Sequence, residues 1–439
     1  MLVATASISL LGLAAAHIGC SGHNIARRNI GGEHNVIYDK RQVDGSNVDV
    51  AAECAPYSYA PMANSKPKYP SIWVQPAALV PGDTEAAALF ATINATVAQK
   101  VPNSNSPHGT LKGDWAGVNY PPGDADCWWT QTRCTTPAAS LGLQPDITNL
   151  PEPETWGLGF DDGPNCSHNA LYNFLQTNNQ KATMFFIGSN VIDWPVQAIR
   201  ARDDGHHICV HTWSHPYMTA LTNEQVFAEL YYTRQVIKEV VGVTPTCWRP
   251  PYGDVDNRVR VIASALNLSN VLWKNDTFDW SVGTNNITAA DVTNNYQKII
   301  TAAGQGQYAT QGLTVLNHEI NNFTMQEFIE QYPNIKGAFK HIVPLSAAMN
   351  WTHPYVEQNY TFQSFDEYVA GTPASGAAAA SSDAASGSAS GAAGSGTGTA
   401  SGAAASAASA KASSKPSSAG VTRPAAGVLV VAIAAALLL

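Results

Sequence analysis

The stretch WGLGFDDGPN (residues 156–165) joins a short apolar run to two adjacent acids and a Gly-Pro turn. Its first five residues are typical of a buried strand, and Asp161 and Asp162 follow directly. Six further short runs occur downstream: ATMFFIG (182–188), HICVH (207–211), TCWRP (246–250), NVLWK (270–274), LTVLNH (313–318) and HIVPL (341–345). The region 151–348 is therefore predicted to contain seven strands.

Longer segments with helical periodicity separate these runs. In Asn223–Val241, for example, Val226, Leu230, Ile237 and Val241 recur at the spacing of one helix face. Strands that alternate with helices indicate parallel strands joined by crossover helices, so the predicted class is α/β. The alternation alone is compatible with both an open sheet and a closed barrel.

Side chains capable of chemistry stand at or just past the C-terminal ends of predicted strands: Asp161, Asp162, His211, Arg249 and His318. In parallel α/β proteins, whether open or closed, this end of the sheet carries the binding site. The sequence therefore predicts one pocket at this edge.

The motif HTWSHP (211–216) places His211 and His215 four residues apart, within reach of one cation on the same side of a helical turn. Two histidines at this spacing, without a further candidate ligand, are more often a surface feature than a metal site. Together with Asp162, however, it makes a set of two histidines and one carboxylate. Three protein ligands leave one position open for water, as catalytic zinc requires.

Three more motifs contribute candidate residues: RPPYGD (249–254), DTFDW (276–280) and VLNHE (315–319). The guanidinium of Arg249 is suited to holding a carboxylate, and the turn that follows it presents backbone N–H groups rigidly. In the last motif, Leu316 precedes His318 by two residues and so shares its face of the strand. Each of these motifs would be unremarkable if it stood alone.

Taken in order, DDGP, HxxxHP, RxPYG, DxxxW and LxH resemble the polysaccharide deacetylase family (carbohydrate esterase family 4), over roughly residues 150–348. The plan of the whole chain resembles fungal chitin deacetylases with a glycosylphosphatidylinositol (GPI) anchor. This resemblance implies a distorted (β/α) barrel of about seven parallel strands and one divalent metal ion, Zn²⁺ or alternatively Co²⁺. The family usually has Thr where Gly159 stands, a difference expected to loosen packing without removing a ligand.

The resemblance also implies roles for individual residues. Asp161 would be the general base, and Arg249 would orient it. The metal ligands would be Asp162, His211 and His215.

The remaining implied roles concern the leaving group and the substrate. His318 would be the general acid, and Asp276 would tune it. The backbone N–H of Tyr252 would help bind the oxyanion, while Trp280 and Leu316 would enclose the acetyl methyl group.

The N-terminal end of the chain indicates secretion. Residues 1–16 contain an apolar run that closes on small residues, as a signal peptide does; the alternative is a buried N-terminal helix. The dibasic pair at residues 40–41 resembles a cleavage site for a processing protease. Cleavage after it would make residues 17–41 a propeptide. That cut would remove Cys20 and leave six of seven cysteines, an even number that can pair fully in an oxidising compartment. Six cysteines permit about 15 pairings, and Cys127 and Cys134 are near enough for a local disulfide.

The C-terminal end indicates a surface anchor. Ala, Ser, Gly and Thr make up 45 of the 50 residues in 371–420, so this segment is predicted to be a flexible linker. Residues 421–439 end in an apolar run that is short for a membrane span, and small residues precede it. This pattern fits a GPI-attachment signal, with candidate sites Ser417, Ser418 and Ala419; a tail-anchored helix is the alternative.

The prediction of a secreted glycoprotein is supported by eight Asn-x-Ser/Thr sequons: Asn94, Asn165, Asn267, Asn275, Asn286, Asn322, Asn350 and Asn359. Asn165 and Asn275 lie beside the candidate site, so at least one is expected to stay unmodified or to point away. The region 42–150 is predicted to be an irregular extension, and residues 349–370 a second one. In the first, Trp128 and Trp129 are expected to pack on the catalytic domain rather than to contact carbohydrate.

The resulting functional prediction is metal-dependent hydrolysis of the N-acetyl groups of chitin, giving chitosan and acetate at the fungal cell surface. The alternatives are a catalytically inactive chitin-binding wall mannoprotein and a deacetylase for another acetylated polysaccharide. The expected partners are chitin and, through the anchor, the plasma membrane, with the protein monomeric. A net charge of -9 without a basic cluster disfavours nucleic-acid binding.

Overall fold

The computed structural model describes residues 25–29, 35–39, 48–102, 104, 107–284 and 286–372. The chain divides into units 1–384 and 385–439, and every described residue belongs to the first. The predicted signal peptide, the GPI signal with Ser417, Ser418 and Ala419, and all but two residues of the predicted linker lie outside the described residues. None of the described helices combines the length and apolar character needed to cross a membrane.

The strands are β1 (Ile25–Asn29), β2 (Asn35–Asp39), β3 (Asn149–Leu150), β4 (Thr155–Gly163), β5 (Thr183–Phe186), β6 (His207–Val210), β7 (Cys247–Trp248), β8 (Ser269–Asn270), β9 (Asn275–Asp276), β10 (Gly312–Leu316) and β11 (His341–Pro344). The helices are α1 (Val50–Glu53), α2 (Ala60–Ser65), α3 (Thr84–Lys100), α4 (Trp129–Thr132), α5 (Asn169–Thr177), α6 (Gly188–Asp193), α7 (Pro195–Asp203), α8 (Asn223–Val241), α9 (Asn257–Ala265), α10 (Ala289–Gly304), α11 (Asn322–Ala338), α12 (Leu345–Ala348) and α13 (Phe365–Val369).

Apart from the hairpin β1–β2, the strands form one sheet in the order β3-β10-β4-β5-β6-β7-β8, with β11 beside β4 and β9 beside β10. Every neighbouring pair is parallel except β3 and β10. Six of the seven predicted runs contain a strand, and the predicted helix Asn223–Val241 has the bounds of α8. The seventh run, 270–274, overlaps β8 only at Asn270 and is followed directly by β9, which was not predicted. The strand β3 was not predicted either, because it lies in a segment that was expected to be irregular.

The segment 147–150 closes the sheet into a distorted barrel. Its first residue, Ile147, hydrogen-bonds with the β8 side of the sheet: its N–H donates to Asn270 (3.0 Å), and its carbonyl accepts from Leu272 (2.9 Å). One residue later, the carbonyl of Thr148 accepts from the N–H of Thr314 in β10 (3.1 Å). The predicted barrel is therefore confirmed over the alternative of an open sheet.

Helix α8 shows how local signals and packing combine. Thr222 and Gln225 form a capping box at its start, and Gly242 adopts the left-handed conformation (φ 81°) that ends it. Much of the helix is buried, including Val226, Leu230 and Ile237 of the predicted face. Burial of each such side chain contributes roughly 1.5–3 kcal/mol, far more than the caps do.

The extension 42–150 is less irregular than predicted, because it contains the 17-residue helix α3. It is also joined to the catalytic region by the disulfide Cys54–Cys166. Two more disulfides pair the remaining cysteines of the described residues, Cys127–Cys134 and Cys209–Cys247, so the predicted local bridge is present. The predicted packing role of Trp128 is confirmed: the ring is buried, and its indole N–H donates to Asp254 (2.8 Å).

Candidate metal and catalytic site

Three predicted ligands converge where β4 and β6 end. Asp162 is the next-to-last residue of β4, and His211 and His215 lie in the loop after β6. Asp162 Oδ1 is 3.3 Å from Nε2 of His211 and 3.2 Å from Nε2 of His215. The three ligand atoms lie within 4.8 Å of one another, close enough to share one ion.

The hydrogen bonding of this cluster fits a divalent cation. Nδ1 of His211 lies 2.8 Å from the carbonyl oxygen of Arg249; since a carbonyl only accepts, Nδ1 carries a proton, and Nε2 is the nitrogen that can bind a metal when the ring is neutral. Burial raises the pKa of Asp162, but the two imidazoles, in their protonated form, lower it to well below its usual range. A carboxylate that interacts so favourably with positive charge, beside two imidazoles, is a donor set that suits Zn²⁺.

A second cluster, His207 with Cys209 and Cys247, also brings three metal-binding residue types together. The two cysteines form a disulfide with each other. No thiolate is therefore available there, and the cluster is structural.

Asp161 is held by Arg249. Nη1 of Arg249 donates to Asp161 Oδ1 at 2.6 Å, and both side chains are buried. The other oxygen, Oδ2, lies 3.8 Å from Nε2 of His211. One carboxylate oxygen is thus occupied, and the other is turned toward the metal ligands.

Gly159 does not leave the loose packing that was expected. A Cβ placed on it would lie 3.2 Å from both the Phe185 ring and the carbonyl oxygen of Thr183. The guanidinium of Arg249 in turn stacks 4.0 Å from the centroid of that same ring. Phe185 therefore fills the space beside Gly159 and supports the arginine that holds Asp161.

His318 has a direct carboxylate partner that was not among the predicted residues. Nδ1 of His318 bonds to Oδ1 of Asp279 at 2.6 Å, and its backbone N–H donates to Oδ2 at 2.9 Å. Burial lowers the pKa of His318, but the Asp279 carboxylate more than offsets this effect and raises it to about 10. The carboxylate in direct contact with His318 is therefore that of Asp279. The tuning of His318 by Asp276 stays a prediction.

Asp276 lies nearby and lines the cleft. It accepts a hydrogen bond from the backbone N–H of Phe278 (2.7 Å) and another from the indole of Trp280. Burial raises the pKa of Asp276 to about 6.

The predicted site residues other than Arg249, which is buried beside Asp161, line one cleft of about 870 Å³ at the C-terminal edge of the strands. Tyr252 lies on its wall in a left-handed conformation (φ 58°) within the Pro-Pro-Tyr-Gly turn, and Leu316 and Trp280 also line it. Leu316 is buried, whereas the Trp280 side chain is 46% exposed.

Sequence reasoning missed several aromatic residues of this cleft. Trp129, expected only to pack, does pack against Gly253 but also lines the cavity, as do Tyr217, Trp273 and Phe278. Tyr217 lies parallel to Tyr252, with the ring centroids 4.0 Å apart. Its position two residues after His215 was the only available signal.

The sequons differ in accessibility. Six of the eight asparagines are exposed, whereas Asn165 and Asn275 beside the site are half-buried. The Asn165 amide donates to the carbonyl of Ile320 (2.5 Å), and Asn275 accepts from the hydroxyl of Tyr308 (3.2 Å). These contacts support the expectation that at least one of the two stays unmodified.

Comparison with known proteins gives a consistent result. The sequence model of the polysaccharide deacetylase family matches residues 149–271. Chitin deacetylase 2 of Cryptococcus neoformans var. grubii serotype A is 58% identical over 364 residues, which cover 82% of this chain and 79% of that protein. A chitin deacetylase of Amylomyces rouxii is 44% identical over 342 residues, covering 76% and 78% of the two chains. The chain belongs to the polysaccharide deacetylase family.

Proposed function

We propose that this protein is a chitin deacetylase, which hydrolyses the N-acetyl groups of chitin to acetate and glucosamine units. The observation that carries the proposal is the convergence of a complete hydrolytic set on one cleft: the three candidate ligands, the pair Asp161–Arg249 and the pair His318–Asp279. Two relatives that carry the name chitin deacetylase match over most of this chain.

The first chemical task is to activate water. A divalent ion held by Asp162, His211 and His215 would polarise the amide carbonyl and lower the pKa of water from about 15.7 toward roughly 7. Asp161 then takes the proton through Oδ2, since Arg249 occupies Oδ1. The new C–O bond forms at the acetyl carbon, and negative charge develops on the carbonyl oxygen.

The second task is to stabilise this charge and release the amine. The backbone N–H of Tyr252 donates to the oxyanion, a contact typically worth about 3–4 kcal/mol. His318, kept protonated at neutral pH by Asp279, gives a proton to the departing nitrogen as the C–N bond breaks. Leu316 and Trp280 enclose the acetyl methyl group.

The finer features of the proposal come from the sequence. The resident metal is Zn²⁺, with Co²⁺ as the alternative. The signal peptide, the linker and the GPI signal would place a monomeric, glycosylated enzyme at the fungal plasma membrane and wall, facing its polymer. Complete retention of the hydrolytic set favours an enzyme over an inactive chitin-binding mannoprotein.

The test is acetate release from chitin oligomers by the secreted protein, before and after chelation. We expect chelation to abolish release and added Zn²⁺ or Co²⁺ to restore it. Asp161→Asn should lower kcat by roughly 10²–10⁴-fold, because the general base is lost. Asp366→Asn, which changes an exposed acid on α13, is the control and should leave the rate unchanged. Acetate release that persists after thorough chelation would contradict the metal role.

A further inference from the structure

The loop that joins His211 to His215 has an unfavourable backbone conformation. Thr212 and His215 both adopt left-handed angles, φ 64° and φ 59°, although neither is glycine. Such conformations cost of order 1–3 kcal/mol each and persist only where surrounding contacts fix them. The contacts that fix this loop therefore also fix the spacing of two metal ligands.

The principal contact is Glu229, a glutamate of α8 whose side chain is fully buried. Its Oε2 accepts from the backbone N–H groups of Trp213 (2.7 Å) and Ser214 (2.8 Å). Its Oε1 accepts from the Ser214 hydroxyl (2.6 Å) and from the backbone N–H of Ala77 (2.8 Å). Four donors converge on two oxygens, so this position requires a side chain whose two terminal atoms both accept. A Gln here would place its own NH₂ group against one or two of these donors.

The fourth donor, Ala77, belongs to the N-terminal extension, and its neighbours contact the same loop. The carbonyl of Ser71 accepts from the Trp213 indole (3.2 Å). The side-chain amide of Gln75 donates to the carbonyl of Ser214 (2.5 Å). Segment 71–77 thus lies along the ligand loop, and Glu229 bonds to both.

We propose that Glu229 is a positioning residue of the metal site, which joins segment 71–77 to the ligand loop and so holds His211 and His215 at ligating separation. The proposal rests on the metal site of the proposed function, but not on the identity of the substrate. It assigns the extension a part in metal binding.

The test compares two buried glutamates that both join the extension to the catalytic region. Glu53, the control, is also buried and accepts from the backbone N–H of Asn169 (2.9 Å), which lies outside the ligand loop. Metal-free Glu229→Gln and Glu53→Gln are titrated with Co²⁺ in competition with a chromophoric chelator. We expect Glu229→Gln to bind Co²⁺ about tenfold more weakly than the parent protein and Glu53→Gln to bind it equally well.

Activity adds a second readout. At saturating Co²⁺, Glu229→Gln should recover most of the parent kcat for acetate release, because the ligands themselves are intact. Equal Co²⁺ affinity in Glu229→Gln and the parent, or equal weakening in both variants, would overturn the proposal. If the parent binds Co²⁺ but releases no acetate, the proposed function fails while this inference stands.

A milder variant covers the case in which Glu229→Gln does not fold. Ser214→Ala removes one donor to Glu229 and leaves the backbone bonds in place. We expect a two- to threefold loss of Co²⁺ affinity, on the order of 0.5 kcal/mol for one hydrogen bond of the set. Unchanged affinity in this variant would also contradict the proposal.

Discussion

Asp276 and Asp279 lie three residues apart in one motif, yet only Asp279 contacts the His318 ring. Phe278 between them adopts a left-handed conformation (φ 56°), and a 3₁₀ turn begins at Asp279, so the chain direction changes between the two acids. The family resemblance implied that Asp276 of this motif would tune His318. It gave no role to Asp279, and the contact made by Asp279 could not be predicted, because a single backbone angle at a non-glycine residue carries no sequence signal.

The contact between Asp279 and His318 predicts a change in pH dependence. As the proposed general acid, His318 would act in its protonated form, so activity should fall as the pH rises through its pKa, which Asp279 raises to about 10. In Asp279→Asn the largest influence that raises this pKa is lost while burial still lowers it, so the pKa of His318 falls. The alkaline limb of the kcat/KM profile should therefore move to lower pH, with a loss on the order of 10²-fold above neutrality. Asp276→Asn should keep the parent alkaline limb, and a shift of the limb in that variant instead would show that Asp276 sets the pKa of His318.

A second prediction concerns Gly159. Gly159→Thr would displace the Phe185 ring, which supports the Arg249 guanidinium. We expect the free energy of unfolding to fall by about 1–3 kcal/mol, as in other overpacked cores, with a lower kcat because Asp161 loses its alignment. Urea denaturation and acetate release measure the two effects. Gly337→Thr, at a position with nothing within 4 Å of an added Cβ, is the control.

At the scale of elements, prediction succeeded wherever a pattern was local and long enough. Six of the seven predicted strands and helix α8 were located correctly, whereas the run 270–274 overlaps β8 only at Asn270. The closing contacts of segment 147–150 were missed, because they join residues more than a hundred positions apart. Helix α3 was missed as well, since its alanine-rich sequence has little amphipathic contrast.

The packing of the extension on the catalytic region leads to a third prediction. Trp128 is almost fully buried, stacks 4.3 Å from the His108 ring centroid and bonds to Asp254. Trp128→Ala should lower the free energy of unfolding by about 3–5 kcal/mol, measured by urea denaturation. Trp280→Ala removes a half-exposed tryptophan of the cleft; it should lower acetate release with a much smaller loss of stability. Equal losses of stability would mean that the extension packs only loosely.

At the scale of the whole molecule, metal binding and folding should be linked. An ion that binds only the folded chain stabilises it by about 2.7 kcal/mol when its free concentration exceeds Kd a hundredfold. Chelated protein should therefore melt at a lower temperature than protein with Zn²⁺, measured by calorimetry. In Asp162→Ala, which removes one of the three converging ligands, the two melting temperatures should coincide. A Zn²⁺-dependent shift in that variant would indicate binding elsewhere.

The closure of the barrel by residues 147–150 also limits where the protein can be truncated at its N-terminal side. A recombinant fragment begun at residue 151, where the catalytic domain was expected to start, would lack residues 147–150. Their backbone groups form hydrogen bonds with β10 and with the chain after β8. Exposed strand edges of this kind recruit strands from other molecules. Such a fragment would be prone to self-association even though it retained the three candidate ligands and the pairs Asp161–Arg249 and His318–Asp279.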